Sequence, residues 1–260
     1  MQYVIVTGAT GAIGTEISKA LADRGYGLIL ACRNLKKATQ LAEKLPKSCR
    51  PIFLPVDLAD ADTIHKAVGE LPRLVQSTDS IVGLINNAGV MSPRHTLAPS
   101  GQEMDYTVNY LHTRLLTESL IDAGLMAHGA SVVFTTSLTR HLGRGRSIPK
   151  AAPAGKFSRL GAYGRSKRAL TIYASSVVDR MRRRDIYVNC ADPGIVDSDM
   201  ITMRRWYDPI ADLFFRPFIR SPRKGAEPAL RAFHAGLKGE SGRIYCRRRI
   251  HQLPQTSPES

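Results

Sequence analysis

The sequence predicts an α/β chain: a doubly wound parallel sheet of about seven strands with helices on both faces. Three observations carry that prediction. Strand-like apolar runs alternate with helix-like segments along most of the 260 residues. The runs are continuously apolar rather than alternating in polarity, as strands are when both faces of a parallel sheet are covered. The first run also leads at once into a glycine-rich turn and a helix-patterned segment. Such regular strand–helix alternation implies right-handed crossovers in one sheet.

Residues 3–7 form the first predicted strand. Residues 13–24 have helical spacing, ended by Gly25 and Gly27. A second strand is predicted over 27–32. Asn34 is placed to cap a helix running to 45, before Pro46, and 51–56 is a third strand. Asp60 caps a helix into the seventies. Residues 81–85 make a fourth strand, closing on Asn86-Asn87-Ala88-Gly89. A long helix is predicted over 102–126, a fifth strand over 131–136, a second long helix over 163–184, and a sixth strand over 186–190. Pro193-Gly194 follows. Residues 222–237 read as a helix and 243–246 as a last strand.

Two segments stand outside the alternation. One is 138–160, basic and rich in Gly, Pro and Ala. The other is 196–221, where Met200, Met203, Trp206, Tyr207, Phe214, Phe215 and Phe218 lie among arginines. No repeat or compositional break divides the chain. Residues 1–253 therefore read as one domain, with 138–160 an insert and 196–221 a flap over the substrate, and 254–260 as a disordered tail.

Composition sets further bounds. Hydrophobic residues are 43% and charged residues 23% of the chain, enough for a real core. No stretch approaches the roughly 20 apolar residues of a membrane span. The first residues lack the basic leader and cleavage site of a signal peptide, so a cytoplasmic location is expected. The four cysteines, Cys32, Cys49, Cys190 and Cys246, form no CxxC pair and read as reduced thiols. The seven histidines show no ligand spacing, so no metal is expected. The formal charge is +15, with arginines clustered at Arg180, Arg182, Arg183 and Arg184 and at Arg247, Arg248 and Arg249. No nucleic-acid motif accompanies them, and a hydrated surface on a phosphate-binding protein accounts for them.

The chemistry begins at Thr7-Gly8-Ala9-Thr10-Gly11-Ala12-Ile13-Gly14. Glycines let the backbone turn tightly and approach a pyrophosphate. The following helix offers unpaired N–H groups and its positive dipole end to the anion. The position between a strand and a helix is the context a dinucleotide site requires. After the second strand, a carboxylate would bind the ribose hydroxyls of NAD. This chain has Cys32-Arg33-Asn34 there, and Arg33 suits a 2′-phosphate. NADP(H) is therefore expected over NAD(H). Further on, Tyr163-Gly164-Arg165-Ser166-Lys167 puts Tyr163 and Lys167 on one helix face. A free phenol ionises near a pH of about 10, and a neighbouring ammonium stabilises phenolate and lowers that value.

Taken together, and in this order along the chain, these motifs resemble the short-chain dehydrogenase/reductase family in its shorter, single-domain, Rossmann-type form. The resemblance spans about 3–242. It rests on the glycine turn, Val56-Asp57-Leu58, Asn86-Asn87-Ala88-Gly89, Asn109, Ser137, Tyr163 with Lys167, and Pro193-Gly194-Ile195-Val196. It implies that Tyr163 exchanges the proton of the substrate oxygen and that Lys167 binds the nicotinamide ribose and lowers the Tyr163 pKa. Ser137 would hydrogen-bond the substrate oxygen, and Asn109 would anchor a relay water. The cofactor-binding set becomes Gly8, Thr10, Gly11, Ala12, Ile13, Gly14, Arg33, Asn34, Asp57, Leu58, Asn87, Ala88, Gly89, Tyr163, Lys167, Pro193, Gly194, Val196 and Ser198. Ser198 stands where the family often has Thr.

Two departures bear on specificity. Ala12 occupies the middle glycine position of the shorter form, so the spacing TGxxGxxG looks like that of longer, sugar-modifying members. The stretch from Ser137 to Tyr163 is also unusually long. That insert and Ala31-Cys32-Arg33-Asn34 resemble the retinol-dehydrogenase-like and protochlorophyllide-reductase-like branch, whose substrates are large and hydrophobic. The expected activity is hydride transfer between the nicotinamide and a carbonyl or alcohol carbon, with a homodimer or homotetramer as the assembly. Arg204, Arg205, Arg216 and Arg220 point to an anionic substrate or to peripheral contact with an anionic membrane. Two alternatives stay open: a non-catalytic NADP(H)-binding regulator on this fold, and a sugar-nucleotide epimerase or reductase.

Overall fold

A computed structural model describes residues 1–141, 147–194 and 221–254. The elements run β1 (Gln2–Thr7), α1 (Ala12–Ala22), β2 (Gly27–Cys32), α2 (Leu35–Ala42), β3 (Ile52–Pro55), α3 (Ala61–Leu74), β4 (Ser80–Asn86) and α4 (Met104–Tyr106). A π-helical turn, Thr107–Leu111, joins α4 to α5 (His112–Asp122). Then come β5 (Met126–Thr135), α6 (Arg159–Arg182), β6 (Ile186–Ala191), α7 (Pro222–Gly236), β7 (Arg243–Tyr245) and β8 (Ile250–Gln252).

One sheet holds all the described strands in the order β3-β2-β1-β4-β5-β6-β7-β8. Neighbours from β3 through β7 pair in parallel. The α/β fold is the one the patterning predicts, with one strand more. β8 pairs antiparallel to β7 across the Arg247–Arg249 turn. Its three residues are exposed edge positions and carry no apolar run to betray them.

The continuous apolar runs are explained by two cores. Successive strand residues point to opposite faces. Ile5, Ile29, Leu84 and Phe134 pack with Leu71, Leu120 and Tyr173 from α3, α5 and α6. Their neighbours Val4, Val6, Leu28, Leu30 and Val133 pack with Ile17, Leu41 and Phe233 from α1, α2 and α7. Caps hold as the sequence implies: Asn34 accepts from the Lys37 amide, and Asp60 from the Asp62 amide.

Three boundaries differ. The helix expected over 102–126 starts at Met104, is interrupted by the π turn and ends at Asp122; Met126 already belongs to β5. The helix expected from Asn34 to 45 stops at Ala42. The insert ends sooner than expected, because Ser158 accepts from the Gly161 amide and starts α6 at Arg159. Earlier in the insert are single 3-10 turns at Leu138–His141 and Ala154–Lys156. The expected flap over 196–221 lies almost wholly outside the described residues, as do 142–146 and all of the tail but Pro254.

Candidate active site

The strand order reverses between β1 and β4, and in open α/β sheets ligands bind outside the carboxyl ends of strands at such a point. The turn after β1 is held by contacts at which a side chain would collide. Gly8 has φ +62°, and a Cβ on it would lie 2.9 Å from the Ala88 Cα. A Cβ on Gly14 would run into the Gly8 carbonyl oxygen and sit 2.9 Å from both the Ala9 Cα and the Asn87 Nδ2. Those glycines therefore bring α1 against β1 and the β4 end. Asn87 completes the joint, donating from Nδ2 to the Thr7 and Gly8 carbonyls at 3.1 and 3.3 Å. The Thr7 hydroxyl accepts from the Asn87 and Ala88 amides, both at 3.0 Å.

Gly11 is the N-cap of α1 and offers no side chain to its first amides, and no acidic residue occupies the first turn. The leading N–H groups of Ala12, Ile13 and Gly14 stand open to an anion, beside Thr10. Arg33 follows β2 and is 68% exposed, with NH1 3.9 Å from the Asp57 carboxylate. An exposed pair at that spacing is weak and leaves the guanidinium available. Arg33, Asn34 and Leu35 line a groove of about 580 Å³. Asp57 is fastened to the Ala59 amide at 2.9 Å, and Leu58 is buried, its carbonyl 2.9 Å from His112 Nδ1. A phosphate-bearing dinucleotide fits this donor set.

The second half of the site hangs from β4, β5 and α6. Asn109 is fully buried within the π turn rather than a regular helix. Its Oδ1 accepts from the Val90 amide, and its Nδ2 donates to the Val90 carbonyl and to Ser166 Oγ, at 2.8, 2.8 and 2.9 Å. Ser166 in turn donates to the Tyr163 carbonyl at 2.8 Å. Asn109 thus ties the β4 loop to α6, and a π bulge is a frequent companion of such functional positions. Gly89 lies close to both Asn109 Oδ1 and Lys167 Nζ.

Ser137 follows β5, its hydroxyl accepting from the Thr139 amide at 3.3 Å, and it lies near enough to the Tyr163 phenol to favour the phenolate. Lys167 Nζ lies 5.8 Å from the Tyr163 ring centroid and donates to the Thr135 carbonyl at 2.8 Å. The residues expected at the reacting end therefore converge. Their electrostatics differ from the expectation. Burial pushes the Tyr163 phenol up to about 12, with the Ser137 hydroxyl opposing and the Asp192 and Asp105 carboxylates adding to the rise. Burial also brings Lys167 down to about 8, against the opposing pull of Asp105, Cys190 and Asp192. Desolvation outweighs the help that an ammonium would give a phenolate.

Several participants escaped sequence reading. Thr7 and the Thr135 carbonyl act through hydrogen bonds that no motif announces. Asp105 is fully buried, accepts from the Ser92 amide at 2.9 Å, and has a carboxyl raised by desolvation. Arg140 and Asp192 form a buried ion pair beside Ser137; the one visible signal was a charge in Cys190-Ala191-Asp192, next to Pro193-Gly194. Pro193 is buried and Gly194 has φ +74°. Val196 and Ser198 lie outside the described residues. All four cysteines are free thiols, and no metal-holding group of His, Cys, Asp and Glu occurs among the described residues. No described helix is long and apolar enough to cross a membrane.

Comparison with known proteins gives a family and a fold. A family model described as short chain dehydrogenase matches residues 2–207. Human retinol dehydrogenase 12 is 30% identical over 256 residues, covering 95% of this chain and 78% of that protein. Human retinol dehydrogenase 11 is 32% identical over 250 residues, covering 93% and 76%. Among solved structures, a short-chain dehydrogenase/reductase of the glucose/ribitol dehydrogenase type from Brucella melitensis superposes with TM-score 0.71 at 18% identity, covering 95% of this chain and 96% of that one.

Proposed function

The chain belongs to the short-chain dehydrogenase family, and from that premise we propose that it is an NADP(H)-dependent oxidoreductase acting on a carbonyl or alcohol of a hydrophobic substrate. The observation that carries this reading is the convergence of Ser137, Tyr163, Lys167 and Asn109 at the carboxyl edge of the sheet. Residues 1–253 serve as one dinucleotide-binding and catalytic unit.

The amides of Ala12, Ile13 and Gly14 and the Arg33 guanidinium would hold the phosphates. Asp57 and Leu58 would meet the adenine; Asn87, Ala88 and Gly89 would line the cofactor; Pro193, Gly194 and Val196, with Ser198, would flank the nicotinamide. The bound dinucleotide supplies or accepts the hydride. Ser137 and Tyr163 grip the substrate oxygen, and Tyr163 delivers or removes its proton. Lys167, anchored on the Thr135 carbonyl, would bind the nicotinamide ribose and favour the Tyr163 phenolate. The Asn109 side chain is already committed to Val90 and Ser166, so a relay water would rest on its main-chain carbonyl.

The hydrophobic substrate is supported by three leucines on segments around this edge. Leu97, Leu138 and Leu160 are 54%, 56% and 54% exposed; Leu138 directly follows Ser137, and Leu160 is separated from Tyr163 only by Gly161 and Ala162. Apolar walls with few polar groups suit such a site. In a cytosol supplied with NADPH, reduction is the favoured direction. A homodimer or homotetramer that touches anionic membranes through its basic surface completes the proposal; flotation with anionic liposomes tests the contact, and its absence removes that part alone.

The decisive experiment is turnover of purified protein with NADPH or NADH against long-chain aldehydes, hydrophobic ketones and retinal, retinol dehydrogenases being the relatives. NADPH oxidation with an apolar carbonyl is expected. Cofactor binding without turnover of any would make the protein a sensor, and preference for NADH would remove the assigned role of Arg33.

A further inference from the structure

β5 and β6 run side by side, and their backbone pairing reaches the Thr136 amide, which donates to the Ala191 carbonyl at 2.8 Å. Beyond that point the loops bearing Ser137 and Pro193-Gly194 leave the sheet. What joins them there is a buried ion pair. Arg140 is 8% exposed and Asp192 3%. The Arg140 guanidinium donates to the Ser137 carbonyl at 2.8 Å and also to the Asp192 carboxylate. The other oxygen of Asp192 accepts from the Gly194 amide at 2.9 Å. The Asp192 amide donates to the Tyr245 carbonyl at 2.9 Å, which ties the chain of bonds to β7.

We propose that Arg140 and Asp192 are positioning residues. Their ion pair locks the Ser137 loop to the Pro193-Gly194 loop, so that the group gripping the substrate oxygen keeps a fixed place relative to the nicotinamide side of the site. This rests on the function proposed above. A buried ion pair contributes little net stability over an apolar pair of similar volume, because desolvation offsets the attraction. The bonds it makes are better understood as geometry. Both bonds leave from one guanidinium nitrogen, NH1, whose two hydrogens lie in the rigid guanidinium plane and so hold the carbonyl and the carboxylate at set angles together. A small misplacement of reacting groups carries a large rate penalty.

The experiment separates stability from positioning. Arg140→Met leaves the Asp192 carboxylate buried without its cation, so Tm falls. Arg140→Met combined with Asp192→Leu removes both charges, and Tm recovers toward the parent value. If the pair positions the loops, kcat for decanal with NADPH stays about tenfold to hundredfold low in that stable double variant. Hydrogen exchange of the apo protein, read on peptides covering 136–141 and 191–194, accelerates in both loops while β5 and β6 stay protected. Recovery of kcat along with Tm overturns the proposal, and so does unchanged exchange in the two loops. If the parent protein turns over no carbonyl, the function is wrong, and the exchange result alone still decides whether the pair locks the loops.

Discussion

The two halves of the site solve the same problem in opposite ways. The turn after β1 is built from backbone and the absence of side chains: Gly8, Gly14, and Asn87 bridging two carbonyls. In it the Asn87 side chain and the Thr7 hydroxyl are hydrogen-bonded, and the first α1 amides have no side-chain cap. The pocket around Tyr163 and Lys167 is built from ionisable side chains, buried at a cost. The phenol is held up at about 12 and the ammonium down at about 8 by the same desolvation. The first region is sterically determined and tolerant of chemistry. The second is electrostatically stressed and intolerant of it.

The comparison breaks first at Tyr163. Tyr163→Phe removes one hydroxyl from the stressed half and leaves the steric half alone. Its kcat should fall about 10²- to 10⁴-fold, with NADPH affinity by fluorescence titration unchanged. Near-parental turnover would take Tyr163 out of the chemistry.

Next in size is Lys167→Met, which should lower turnover less than Tyr163→Phe does yet stabilise the protein. The fold lowers the Lys167 pKa from 10.5 to about 8. Below about pH 8 both folded and unfolded states hold the proton, and burying the charge costs about 3 kcal/mol, at about 1.4 kcal/mol per unit. Between 8 and 10.5 the unfolded state binds more protons, so the parent regains stability as pH rises. The variant's advantage in chemical denaturation should therefore be largest at pH 7 and fade toward pH 10.5. An advantage independent of pH would mean that Lys167 is not strained.

The steric half is sharpened by Gly14→Ala. The added methyl meets the Gly8 carbonyl, the Ala9 backbone and the Asn87 amide. Overpacking of that kind costs about 1–3 kcal/mol and should weaken NADPH binding. Gly155→Ala, with nothing within 4 Å of the new Cβ, should change Tm little and serves as the control.

The most selective effect belongs to Arg33→Ala. Loss of a charge-assisted contact of about 1.5–3 kcal/mol should raise the Kd for NADPH at least about tenfold and leave that for NADH unaltered. Equal losses for both cofactors would place Arg33 on the shared part of the dinucleotide.

Legibility in the sequence divides along the same line. The steric half could be read almost residue by residue, because glycines, caps and apolar runs encode local geometry. β2 was predicted to its boundaries, and Asn34 and Asp60 cap where expected. The stressed half was legible as a set of residues but not as an environment. The Tyr163–Lys167 spacing implied a lowered phenol, whereas burial raises it. The π turn around Asn109 has no sequence mark, since its helical pattern is that of an ordinary helix. β8 was missed because an exposed edge of three residues has no hydrophobic period.

What the sequence determined alone is the succession of strands and helices as far as β7 and the glycine turn, which follow from local propensity, period and spacing; the candidate reacting residues came with the resemblance to a family. Only the tertiary structure decided how those residues are poised: which carbonyl holds Lys167, which loop Asn109 fastens, and that Arg140 and Asp192 meet beneath Ser137. Each of these joins residues far apart in the chain, and the burial that raises the Tyr163 pKa and lowers that of Lys167 is a property of the packed molecule and not of any segment.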